Sequence, residues 1–194
     1  MIKPNIHELV ASRICHDLIS PIGACANGAE LLAMGGGEEE ANLIQESAAN
    51  ASGRVRFFRI AFGLSSASNS VSTSEIKEAL KALASDRLLF DLQWEQEMSR
   101  REAQALFLAI LCLERALPRG GAISIKKLDE NWCLSAESST LLITEALWTP
   151  LSKGQSPDEI IPATVSFAIL PEALAKQSRQ ISIRMTETRI LMQF

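Results

Sequence analysis

The chain has 194 residues, 47% of them hydrophobic, which is enough apolar material for one large domain or two small ones. Its net charge of −4 and pI near 5.3 leave no basic footprint for nucleic acid. Cys15, Cys25, Cys112 and Cys133 have no short paired spacing and stand in apolar periodic contexts, which speaks against zinc and a disulfide framework. A reducing cytoplasm is expected. There is no signal-peptide run and no stretch near the ~20 apolar residues of a membrane span, so no membrane contact is expected.

Pro4 and Asn5 open a first helix, in which Ile6, Val10, Ile14, Leu18, Ile22, Cys25, Ala29 and Leu32 recur at three- and four-residue steps. Each helical residue turns by about 100°, so His16, two places from both Ile14 and Leu18, falls opposite this stripe. It shares its exposed face with Ser12, Arg13, Ser20, Gly23 and Asn27. An imidazole held out from a rigid helix is a nucleophile near neutral pH. Asp17 can orient its ring, and Pro21, one turn later, disturbs the helix at a cost of roughly 3 kcal/mol. His7 lies nine residues from His16, about 180° around the helix, and cannot share a site with it.

Gly35-Gly36-Gly37 ends this helix. No preceding strand and no following Gly-Lys-Ser/Thr are present, so the glycines read as a hairpin turn and not as a phosphate loop. Glu38, Glu39 and Glu40 place negative charge at the positive end of a second helix. Its Ala41, Ile44, Ala48, Ala51, Val55, Phe58 and Phe62 repeat as a bundle seam, enlarged at the far end by Phe57. Two such helices cannot enclose their seams alone, so a homodimer closing a four-helix bundle is expected. Arg54, Arg56 and Arg59 near the far end read as a solvated face or as a surface for an acidic partner.

The serine-rich stretch over residues 64–74 marks a linker between a hairpin domain, 1–68, and a second domain, 73–194. There the pattern predicts a helix over 74–84, a strand over 88–94 and a strongly apolar helix over 99–117. Pro118-Arg119-Gly120-Gly121 turns the chain into a hairpin, 122–128 and 132–136. Residues 141–151 are ambiguous, 162–176 read as helical despite Pro171, and 180–185 with 189–194 form a last hairpin. The fold class is α+β, a helical hairpin followed by an α/β sandwich.

His16-Asp17-Leu18-Ile19-Ser20-Pro21-Ile22 resembles the H-box of the dimerisation and phosphotransfer domain of sensor histidine kinases, His-(Glu/Asp)-Leu-x-x-Pro-(Leu/Ile). The resemblance implies that His16 is phosphorylated, that Asp17 assists as acid/base and that Pro21 bends the helix. Arg13, Ser20, Gly23 and Asn27 are expected to form the docking surface. The second half resembles the Bergerat (GHKL) ATPase domain of those kinases, most clearly over residues 99–125. In that family the apolar helix carries two asparagines, one of which holds the Mg²⁺ of ATP; here Cys112 and Ala116 stand in their places. Leu134-Ser135-Ala136-Glu137-Ser138-Ser139 stands where the family has Asp-x-Gly-x-Gly, and no second glycine-rich lid precedes Pro162. Magnesium needs oxygen ligands, so neither a bound nucleotide nor a metal is expected.

An intact phosphoacceptor beside an erased nucleotide site resembles the ChpT-type histidine phosphotransferases, and this likeness covers nearly the whole chain, with Asn27-Gly28-Ala29-Glu30-Leu31-Leu32 continuing the first helix in that manner. It implies a phosphorelay intermediate that takes phosphoryl from the receiver aspartate of a hybrid kinase and passes it to response-regulator receivers. The receiver would supply Mg²⁺, and no cofactor of the chain's own is implied. Two alternatives remain open at this point: an ATP-dependent kinase with a divergent catalytic domain, marked by tight Mg-ATP binding, and a non-catalytic dimeric adaptor, marked by unchanged function after His16→Gln.

Overall fold

The computed structural model describes residues 5–63 and 70–194. Helix α1 spans Ile6–Ala33, with the Asn5 side chain accepting a hydrogen bond from the His7 amide at its start, and it continues through Pro21. Gly35 takes a φ of +102° and the Gly36 amide donates back to the Leu31 carbonyl at 3.0 Å, a left-handed stop that suits glycine. The Gly37 amide then donates to the Glu40 carboxylate at 2.7 Å and opens α2, Glu38–Ala61. The short turn folds α2 back along α1. They pack tightly at Gly28, where a Cβ would fall 2.8 Å from Cγ1 of Ile44.

After the hairpin come β1 (Ser70–Val71), α3 (Thr73–Lys81), β2 (Leu88–Gln93), β3 (Met98–Ser99) and α4 (Arg100–Arg115). Next follow β4 (Gly121–Leu128), β5 (Asn131–Glu137), α5 (Glu145–Ser152), a 3-10 turn (Pro162–Thr164), α6 (Val165–Ala175), β6 (Ser182–Met185) and β7 (Arg189–Gln193). The main sheet has the order β2-β4-β5-β7-β6, with β2 and β4 parallel and every other pair antiparallel. Ile123, Ile125, Leu134, Ala136, Ile190 and Met192 project from alternate positions into the core and are fully buried. Helix α4 is buried from Ala105 to Leu113 without a break, because it lies between the sheet, α2 and α6. Ser99 and Glu102 cap each other's backbone at its start.

The predicted order of elements is present, with corrections where burial competes with periodicity. The linker reading for residues 64–69 lies outside the described residues; the rest of that stretch is ordered, since Val71 is fully buried and Ser72 caps α3. The ambiguous 141–151 segment resolves as α5, anchored by Trp148 edge-on to Phe167 at 5.2 Å. The expected α2 seam divides within the protomer. Val55 is 43% exposed, while Gly53, Phe57, Phe58, Ile60 and Ala61 are buried towards α3 and α4. A Cβ at Gly53 would fall 2.5 Å from that of Ala82, and the Phe57 ring lies 4.5 Å from Phe107. The far end of the hairpin is therefore part of the sheet's own core.

Half of the apolar stripe of α1 is uncovered: Ile22 is 56% exposed, Leu32 41% and Ile6 37%, and Ala29 is exposed too. All four cysteines are free, Cys15 exposed and Cys112 and Cys133 buried. Among the described residues no helix is long and apolar enough to cross a membrane, and no group of His, Cys, Asp or Glu could hold a metal ion.

Candidate functional site

The side chain of His16 is 85% exposed, on the face of α1 away from the stripe. Its Nδ1 lies 3.1 Å from Oδ1 of Asp17. A carboxylate can only accept, so in the neutral ring this contact selects the tautomer with the proton on Nδ1 and the lone pair on Nε2. Asp17 itself is almost covered, with a side-chain exposure of 8%. Its Oδ2 accepts from Nε of Arg13 at 2.8 Å, one turn earlier on α1, and Arg54 of α2 brings Nη1 to 3.9 Å. The acid beside the histidine is thus hydrogen-bonded from its own helix, with a cation of α2 nearby.

The expected outward position of Arg13 is corrected here. Its long side chain turns inwards, donating to the Ala163 carbonyl at 3.5 Å and reaching Glu114 of α4 at 3.6 Å, because those acceptors lie within its span. Burial pushes the Glu114 carboxyl above its usual range, and the charge of Arg13 works against that rise. Ser20 and Asn27 are exposed as expected. A side-chain carbon on Gly23 would meet nothing within 4 Å, so this glycine does not serve helix packing; Gly28 does. Gly28→Leu should overpack the hairpin and cost about 1–3 kcal/mol in denaturant unfolding, whereas Gly23→Leu should unfold no earlier than wild type.

His16, Asp17, Ser20 and Pro21 from α1 and Asn50 and Arg54 from α2 line a shallow cavity of about 530 Å³. Arg54 is fixed by donating from Nε to Oδ1 of Asn50 at 2.9 Å. Sequence pattern alone does not select the α2 members or Glu114. A signal for Arg54 is nevertheless present: it stands about as far after the glycine turn as Asp17 stands before it, as Ile44 and Gly28 do. Arg56 instead pairs with Glu78 at 2.9 Å, and Arg59 is exposed. His7 is exposed on the first turn of α1, away from this cavity.

Cys112 of α4 and Ala116, which caps its C-terminal end, are fully buried. Burial pushes the Cys112 thiol up to about 12, with its bond to Ser166 at 3.5 Å opposing only in part. These positions offer a neutral thiol and a methyl group within the core.

The family model for the histidine phosphotransferase C-terminal domain matches residues 73–189. Protein phosphotransferase ChpT of Brucella abortus (strain 2308) is 34% identical over 167 residues, covering 82% of this chain and 79% of that protein. A solved bacterial phosphotransferase superposes with a TM-score of 0.73 at 30% identity, covering 97% of this chain and 94% of that one. A family match across most of the second unit and shared identity running through both units place the chain in the ChpT-type histidine phosphotransferase family.

Proposed function

We propose that His16 is the phosphoacceptor of a phosphorelay, taking phosphoryl from the receiver aspartate of a hybrid kinase and passing it to response-regulator receivers. The observation that carries this reading is the exposed imidazole whose Nδ1 is held by a nearly covered carboxylate, leaving Nε2 free. In the forward step the Nε2 lone pair forms the N–P bond while the acyl-phosphate P–O bond breaks, its electron pair returning to the receiver's carboxylate. The Nδ1 proton stays on the ring, and Asp17 balances the positive charge that develops there. Phosphoryl transfer demands alignment and charge stabilisation, so a rigid histidine suffices once a Mg²⁺-bearing receiver docks. Receiver docking is assigned to the face carrying Ser20, Gly23 and Asn27; Arg13 contributes by holding Asp17. Gly23→Leu should then slow transfer without loss of stability. Mixing the protein with a phosphorylated receiver, then with a second receiver, should move label through the chain; failure to take up any label overturns the reading.

The uncovered Ile22, Leu32 and Val55 support a homodimer in which two hairpins close a four-helix bundle. The second unit is read as an ATPase-like domain that no longer uses ATP. A buried thiol kept protonated and an alanine methyl cannot replace oxygen ligands to magnesium, which disfavours the kinase alternative. Calorimetric titration with Mg-ATP should show no binding in the micromolar range, and a micromolar Kd overturns this part of the reading.

A further inference from the structure

We infer that Arg54 is a catalytic cation, stabilising the phosphoryl group as it passes to or from His16. This rests on His16 as phosphoacceptor. Arg54 comes from α2, yet its side chain lines the same cavity as His16. The Nε bond to Asn50 fixes the direction of the guanidinium without using its two Nη groups. Arg54 is not needed to satisfy Asp17, whose Oδ2 already accepts from Arg13 at 2.8 Å and whose Oδ1 meets His16. At 3.9 Å its Nη1 is beyond hydrogen-bond range of that carboxylate. The side chain is 26% exposed, partly desolvated and open to the cavity.

The surroundings favour an anion there. Arg54 stands where this cavity meets a second groove lined by Arg13, Arg87, Arg115 and Arg119, with Glu114 the one carboxylate in that lining. The histidine cavity itself has Asp17, engaged as described, and Glu46, two turns from Arg54 on α2 and exposed. In transfer the N–P bond forms at Nε2 as the acyl P–O bond breaks, and negative charge spreads over the three phosphoryl oxygens. The free Nη donors of Arg54 match two of those oxygens, a planar fork on a phosphoryl face. A receiver's Mg²⁺ would supply further charge stabilisation from the partner's side.

The test is single-turnover transfer from a phosphorylated receiver to the full-length protein, with receiver concentration varied. Arg54→Gln should lower the limiting rate about 100-fold, while the half-saturating concentration moves by less than about threefold. Arg54→Lys should keep part of the rate, since it retains the charge but not the fork. Guanidinium added to Arg54→Ala should recover part of it, which a misfolded variant would not do. Arg56→Gln, whose partner is Glu78, should match wild type. Asp17→Asn and Arg54→Gln should slow the limiting rate multiplicatively when combined. A wild-type limiting rate in Arg54→Gln overturns the proposal, as does an effect confined to the half-saturating concentration. A double variant no slower than Asp17→Asn alone also overturns it, by making Arg54 a positioning residue acting through Asp17. These results differ from failure of the phosphoacceptor reading, in which wild-type protein takes no label or His16→Ala keeps it.

Discussion

His16→Ala is expected to take up no phosphoryl group from a phosphorylated receiver, with fold and melting unchanged. The side chain is 85% exposed and hydrogen-bonds to Asp17, so its removal takes away the nucleophile and little packing. Wild-type label should be acid-labile and base-stable, as for phosphohistidine, which separates it from an acyl phosphate. Asp17→Asn should lie between the two. The amide keeps an oxygen for Nδ1 but loses the charge that balances the developing imidazolium, and it leaves Arg13 without its hydrogen-bonded carboxylate. Its melting point should fall as well, because Asp17 is nearly covered and its charge-assisted bond with Arg13 would be weakened. Label persisting on His16→Ala would point to another nucleophile, with the exposed His7 the first to examine.

How much of the site is legible in the sequence follows from which forces are local. The angle between His16 and the stripe through Ile14 and Leu18 depends on helix geometry alone, so the exposure of His16 can be read from residue spacing. Asn5 as cap, the glycine turn and the start of α4 at Ser99 are readable for the same reason, since capping is settled within four residues. The inward turn of Arg13 is not, because its reach to Glu114 and Ala163 depends on how α1 meets the second unit. Sequence proximity groups Arg54 with Arg56 and Arg59, from which the helix separates it. The seam of α2 shows the same limit. Heptad spacing selects Val55, whereas tertiary contact with α3 and α4 selects Gly53, Phe57 and Ile60, and at that end tertiary contact prevails.

This division of α2 decides how the dimer should be probed. Phe58 and Val55 belong to one periodic stripe, but Phe58 is 3% exposed and stacks with Phe62, while Val55 is 43% exposed. Phe58→Glu places an unpaired carboxylate in the core shared by α2, α4 and the sheet, at a cost of several kcal/mol. It should unfold the protein and so say nothing about assembly. Ile22→Glu combined with Val55→Glu alters two side chains that each protomer leaves largely uncovered, so the protomer itself should stand. In the four-helix bundle the same carboxylates would be forced into the apolar seam without partners. The double variant should keep wild-type circular dichroism and scatter light as a monomer at concentrations where wild type is dimeric. Wild-type protein that is monomeric at micromolar concentration would count decisively against the bundle, and the exposed stripe of α1 would then need another cover.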